Sequence, residues 1–315
     1  MHTYILRRGI TAVITVLIVA TVVFIILRLI PGDPAQLILG LEAPPERVQE
    51  IRQLLGLDRP IYLQYLIWLK DLCLGNLGKS LRSDETVLVL VFQRVHVTFW
   101  IAFLALIISI VLALPLGIFS ALRPWSWIDF FSLVTAQIGL AIPSFWLGIL
   151  LILLFSVKLQ WLPLLGYVNF SDNPVEWLRH LLLPSFALGC IRVAILTRML
   201  RVSMLEELGK EYVTVARAKG LTERVVILHH TLRNALLPVI TVAGMQFGYL
   251  LGGAIIIEQV FGLPGIGRLL LNAIFNRDFP VIQGTIVFIA IVFTGLNLGI
   301  DILYGLLNPK ISIQT

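Results

Sequence analysis

The sequence predicts an all-α protein threaded several times through a lipid bilayer. Three observations carry that prediction. The mean hydropathy is +0.94, with 58% hydrophobic and only 13% charged residues, where an ordinary soluble domain is about 25% charged. Several apolar runs reach the roughly 20 residues that a helix needs to cross the hydrocarbon core. Basic residues are spread unevenly over the segments joining those runs, the usual mark of membrane sidedness. The net charge of +6 and pI near 9.5 belong to that asymmetry and not to nucleic-acid binding.

Six runs qualify as spans, at 9–30, 97–121, 128–157, 181–200, 235–257 and 281–307. The first has a signal-like start. Its apolar stretch is too long for a signal peptide and no small-residue cleavage site follows, so it is expected to stay as a span. The fourth is the weakest, because Pro184 is expected to interrupt it and Arg192 lies inside it. A mid-membrane arginine costs about 2.5–3.5 kcal/mol on insertion scales, so this helix is expected to face protein. Six spans place both termini on one side. If that side is inside, the short inner segments carry Arg7, Arg8, Arg123, Arg198, Arg201, Lys210, Arg217, Lys219, Arg224, Arg233 and Lys310. The short outer loops carry only Lys158, Arg179, Arg268 and Arg277. Eleven against four puts both termini in the cytoplasm.

The chain then divides into 1–95, the first span plus an extracytoplasmic helical segment (31–95), and 96–315, a core of five spans with a cytoplasmic loop at 201–234. The outer segment exceeds the length over which basic residues report sidedness. It reads as two amphipathic helices. "PPERVQEIRQLLG" ends at Gly56 with Val48, Ile51 and Leu55 on one face. "DRPIYLQYLIWLKDLCLG" starts at Asp58 and Pro60 and ends at Gly75.

Several chemistries are excluded. "GNLGKS" (75–80) lacks the first glycine of a phosphate-binding loop, Cys73 standing in its place, and would lie outside. His2, His96, His180, His229 and His230 form no metal-ligand spacing. Cys73 and Cys190 fall outside and inside a span and read as small apolar fillers. No G-x-S-x-G occurs and no pair of carboxylates lies within the spans, so no constellation for hydrolysis is present. Asp301 is the one acid well inside a span. An intramembrane acid suggests a proton relay by default. A structural pair with Arg198 or Arg201, or hydration from the cytoplasm, is the favoured reading, because relays need several such groups.

The stretch "GKEYVTVARAKGLTERVVILHHTLRNALLP" (209–238) is polar between two apolar runs. Residues 210–219 read as a short helix with Tyr212, Val215 and Ala216 on one face, capped by Gly220. Thr222 then caps a second helix that runs into the fifth span. Ala216 and Ala218 beside Arg217 and Lys219 give a compact face with a charged rim that fits a groove on another protein. A solvated loop whose charges only fix topology is the plainer alternative.

"EYVTVARAKGL" followed by "HHTLRNALLP" resembles the cytoplasmic loop of permease subunits of ATP-binding-cassette importers, the dipeptide/oligopeptide/nickel branch most closely. "LRLIPGDPA" (27–35), "LGLDRPIYLQYLIWL" (55–69), "GNLGKSLRS" (75–83), "IPSFWLGILLILLFSVKLQWLP" (142–163), "EQVFGLPGIGRLLLNAIFNRDFPVIQG" (258–284) and "DILYGLLNPKI" (301–311) resemble that branch in the same order. The resemblance implies the type I importer permease fold, similar to the methionine permease, in a bacterial inner membrane. It implies that Glu211, Tyr212, Val215, Ala216, Arg217, Ala218, Lys219 and Gly220 couple to a cytoplasmic ATPase. It also implies that the loop holding Glu258, Phe261, Gly262, Pro264 and Gly265 lies beside the translocation path, although a tight re-entry turn would explain that loop equally well. The chain has no Walker motif, so ATP and magnesium would be bound by partner ATPase subunits. A second homologous permease and an extracytoplasmic substrate-binding protein complete the implied partners. A peptide is the expected substrate; nickel and glutathione are also carried by the branch. One departure bears on Glu211. The E-A-A places of the general loop consensus, counted back from Gly220, hold Thr214, Val215 and Ala216.

Two other classes compete. A stand-alone secondary transporter would use Asp301 and Arg192, but it predicts internal repeats, and none is visible. An intramembrane enzyme needs a nucleophile–base or metal set that the sequence lacks.

Overall fold

A computed structural model describes residues 2–29, 35–36, 44–54 and 56–307. Its elements are α1 (His2–Leu29), α2 (Pro45–Leu54), α3 (Ile61–Cys73), α4 (Val87–Leu122), α5 (Trp127–Ala141), α6 (Ser144–Lys158), α7 (Pro174–Leu208), α8 (Glu211–Ala218), α9 (Glu223–Phe261), α10 (Ile266–Phe275) and α11 (Phe279–Leu307). Among the described residues there is no named strand, only an isolated bridge between Lys79 and Thr86. The described residues fall into two compact units. One comprises Val97–Gly265 with the chain from Gly299, the other His2–His96 with Ile266–Leu298.

Five helices are long and apolar enough to cross a membrane, and α5 with α6 makes a sixth crossing if the bent pair is counted as one. That bend corrects the expectation of a single helix over 128–157. The two halves meet at 98°. Proline disfavours helical dihedrals in the residue before it and has no N–H to donate. Ile142 is accordingly extended (φ −84°, ψ 123°) ahead of Pro143. The opposite correction applies to Pro184. It was expected to interrupt the fourth span, yet α7 runs unbroken through it. Packing overrides the lost bond here, since Pro184 is buried and neighbouring Ser185 donates to the Ile101 carbonyl. The expectation that this helix faces protein is met: α7 is the most buried of the long apolar helices.

In the Val97–Gly265 unit, α4, α7 and α9 share a core that includes Ile101, Leu181, Leu188, Leu250 and Ile257. Small residues set the spacing. A side chain at Gly189 would place its Cβ 2.7 Å from the Ala105 carbonyl oxygen, and one at Gly117 would meet Leu200 at 2.9 Å. Between those backbones Ser109 Oγ donates within reach of both the Ala105 and Gly189 carbonyls (2.6 and 2.9 Å). The second unit contains α1 to α3, α10 and most of α11. Phe24 of α1 packs edge-on against Tyr65 and tilted against Trp68 of α3, at 5.3 and 5.5 Å between ring centres. The expected helix ends at Gly56 and Gly75 are present, both with positive φ. Leu55 lies outside the described residues. The "GNLGKS" stretch is a turn held by Asp278, whose carboxylate takes the Ser80 hydroxyl at 2.6 Å.

Gly189→Val should destabilise the first unit by about 1–3 kcal/mol, the usual cost of overpacking. The expected result is a lower melting temperature of the detergent-solubilised protein. An unchanged melting temperature would show that α7 and α4 are free to separate.

Candidate functional site

The polar segment after α7 folds into a pinned stub. Lys210 stands at the N-cap of α8 in extended conformation. The helix ends in a Schellman arrangement: the Gly220 amide donates to the Arg217 carbonyl (2.9 Å) and the Leu221 amide to that of Ala216 (3.4 Å). Gly220 adopts φ +77°, a left-handed geometry that costs other residues about 1–2 kcal/mol. Thr222 is the N-cap of α9 as expected, though its side chain makes no capping bond. The helix continues through a π-helical turn, Val226–Thr231, into the span.

Three contacts hold α8 in place. Val213 and Ala216 are buried against Val226 at the start of α9. The Tyr212 hydroxyl donates to Glu207 at the end of α7 (2.6 Å) and accepts from the Asn234 amide of α9 (3.1 Å). Burial, and then the Glu207 carboxylate, raise the Tyr212 pKa, so the phenol keeps its proton and stays a donor. Lys210 also pairs with Glu207, which raises the lysine pKa. Arg217 bridges to Glu223 across the turn (2.8 Å), but both side chains are exposed, and such pairs contribute about 0–1 kcal/mol.

The expected grouping of Tyr212, Val215 and Ala216 on one face is not what forms. Ala216 turns inward with Val213, and Val215 points out at 51% exposure. Val213, which sequence reasoning passed over, takes the inward place because Val226 covers it. Glu211, Thr214, Ala218, Lys219 and Gly220 are exposed with Val215 and Arg217. Glu211, Val215 and Ala218 follow one another up one side of the helix, four and three residues apart.

A second fixture was missed entirely. Asp129 is buried and accepts both arms of the Arg201 fork, at 2.8 and 2.7 Å. It also accepts the Ser120 hydroxyl and the Trp125 amide. The ends of α4, α5 and α7 are thereby tied together. Arg201 was one of two arginines expected to neutralise Asp301, and it is instead held by Asp129. Asp301 sits half-buried on α11. The pattern "SWID" was the available signal, with Ser126 accepting the Asp129 amide as an N-cap.

In the last turn of α9, Glu258 is fully buried and takes the Thr98 hydroxyl at 2.5 Å. Gly265 lies so close that a Cβ there would fall 2.1 Å from the Glu258 carboxyl carbon. Gly262 caps α9 in the left-handed conformation and Phe261 is buried against Gly148. Pro264 is the exposed member of the set. At mid-helix in α7, Arg192 donates to Gln246 Oε1 (2.9 Å) and lies over the Tyr249 ring, 5.7 Å from its centre. Among the described residues no group of three or more His, Cys, Asp or Glu could hold a metal.

These features define a class: a polytopic α-helical membrane protein with a polar stub pinned between two of its spans. Residues 113–313 match the binding-protein-dependent transport system inner membrane component family, and residues 1–102 match the N-terminal region of such membrane components. The chain belongs to this family and is a multi-pass inner-membrane protein. It is 43% identical over 311 residues to a putative peptide transport system permease protein of Brucella suis biovar 1 (strain 1330), covering 99% of both chains. It is 40% identical to the dipeptide transport system permease protein DppB of Alkalihalophilus pseudofirmus and to the glutathione transport system permease protein GsiC of Escherichia coli O6:H1, again with 99% of each chain covered. A crystal structure of an amino acid ABC transporter with histidines aligns with a TM-score of 0.50 at 16% identity, over 70% of this chain and 94% of that one. That likeness concerns the fold.

Asp129→Asn should leave Arg201 without its counter-charge and cost about 3–5 kcal/mol. Adding Arg201→Met should recover much of that loss. Melting curves of the two single variants and the double variant form a cycle that checks it, and strictly additive losses would mean that the pair is not coupled.

Proposed function

We propose that this chain is one of two permease subunits of an ATP-driven peptide importer, forming half of the pore, with α8 as the helix that receives motion from a cytoplasmic ATPase. The observation that carries the reading is the construction of α8. It is a short helix locked to α7 and α9 from within, and it offers outward a patch of small side chains around Val215 with Glu211, Arg217 and Lys219 at its edge. A helix fixed to two spans passes a push at its surface directly into both of them. The excess of basic residues on this side supports a cytoplasmic position.

ATP and magnesium would be held by the ATPase subunits. A second permease would complete the pore and an extracytoplasmic binding protein would deliver substrate. The full-length likeness to permeases named for peptides, dipeptides and glutathione supports a peptide cargo. The turn from Glu258 to Gly265 would lie beside the path, with Glu258 and Phe261 shaping it from inside and Pro264 at its surface. A stand-alone carrier working through Asp301 is less favoured, because the family is defined by transport systems that depend on a binding protein.

A photo-cross-linker at Val215 in native membranes should capture an ATPase subunit, whereas one at buried Val213 should not. Val215→Arg should lower ATP-dependent uptake by about tenfold or more while the protein still accumulates in the membrane, in line with loss of a well-packed anchor worth over 1 kcal/mol. Capture of lipid alone at Val215, in a transporter that still works, would sink the coupling role of α8.

A further inference from the structure

Arg192 stands eighteen residues from Pro174 and sixteen from Leu208, about 27 and 24 Å along α7 at 1.5 Å per residue. That is the middle of α7, within the stretch of it apolar enough to cross a membrane. Its fixtures within the chain are neutral: the Gln246 carbonyl oxygen and the face of Tyr249. Among the described residues no carboxylate pairs with it, and its Nε is buried without a hydrogen-bond partner. Gln246 is only 7% exposed and holds one arm of the guanidinium in place, while Tyr249 is 56% exposed. Met245, Tyr249, Gly252 and Ile256 follow one another along an exposed side of α9, with an open space beside Gly252.

A charged residue at this depth faces the bundle interior or water, pairs with an opposite charge, and marks a substrate or ion pathway. A guanidinium suits a carboxylate, which can accept two parallel N–H bonds. Arg192 thus has its position fixed, its stacking partner in place and its counter-charge missing.

We infer that Arg192, held by Gln246 and floored by Tyr249, is a carboxylate-binding subsite on the translocation path that takes the free carboxylate of a passing peptide. The inference rests on the importer reading above and adds the chemical group recognised. The same carboxylate chemistry could instead come from the second permease across the pore, and the experiment separates the two sources.

The test uses the assembled permease–ATPase complex in nanodiscs without binding protein. Bound tritiated trialanine is displaced by unlabelled trialanine or by trialanine amide. In the wild type the free acid should displace at least about tenfold better than the amide, the scale of one charge-assisted hydrogen bond. Arg192→Gln should weaken trialanine binding by about that factor and abolish the preference, and Arg192→Lys should keep part of it. A wild type without the preference, or a glutamine variant that retains it, overturns the subsite. So does a glutamine variant that loses the second permease on purification while intact complexes bind trialanine normally, since the carboxylate is then the partner's. If Arg192→Gln does not accumulate, Gln246→Glu supplies an internal counter-charge and should suppress trialanine binding in a folded protein; undiminished binding overturns the proposal. With binding protein restored, a wild type that takes up no trialanine with ATP defeats the importer reading itself, whereas normal uptake without acid preference defeats only the subsite.

Discussion

The close approach of α7 to α4 is the constraint on which the Val97–Gly265 unit depends. Gly189 brings one backbone against the Ala105 carbonyl, and Ser109 uses that proximity to reach carbonyls on both helices. Lipid tails are as apolar as leucine side chains, so helices in a bilayer associate through packing and hydrogen bonds and not through the exclusion of water. A glycine and a serine at this point supply both. With α7 seated there, its other polar groups are placed too: Arg192 in the middle, Arg201 lower down, and Glu207 at its last turn.

Those last two groups explain how a surface stub can act on a span. Arg201 ties α7 to the ends of α4 and α5 through Asp129, and Glu207 ties it to α8 through Tyr212 and Lys210. In the proposed coupling role, a force on α8 would pass to α7 through these bonds. The Schellman end at Gly220 and the Val213–Ala216–Val226 contact make the return connection to α9 similarly short. A stub with a flexible entry would spend an applied displacement in its own loops. In the proposed coupling role both flanking spans would receive it.

Much of this was legible in the sequence, and the rest failed for identifiable reasons. Apolar length located the spans, glycines located the helix ends at 56, 75 and 220, and an inward-facing fourth span followed from Arg192 alone. The bend at Ile142 was missed because both halves are apolar, and hydropathy does not register a direction change. Pro184 misled in the other direction, because a lost backbone bond is visible locally and the tertiary packing that offsets it is not. Asp129 went unnoticed because its partner lies 72 positions away, and the inward turn of Ala216 depends on Val226, which helical periodicity within residues 210–219 cannot anticipate. The association of residues 266–298 with the first 96 was hidden for the same reason, Asp278 reaching Ser80 across 198 positions.

The ionisable groups inside the first unit, two buried carboxyls and the half-buried Arg192, divide by how fully they are answered. Asp129 has the Arg201 fork, a hydroxyl and an amide. Glu258 is enclosed by the turn it organises, with a hydroxyl donated to it and a glycine cut to its shape. Removing a partner from such a group leaves a bare charge in a medium of low dielectric, so these sites are strict about their neighbours and serve to hold helices in register. Arg192 is different in kind. Its neighbours orient it without neutralising it, which in a purely structural role would be a standing cost, because half-burial removes part of the hydration of a charge. The cost is offset if an anion arrives and leaves, because a site that already contained its counter-ion would have nothing to offer a passing carboxylate, and one that bound it without limit would not let it go.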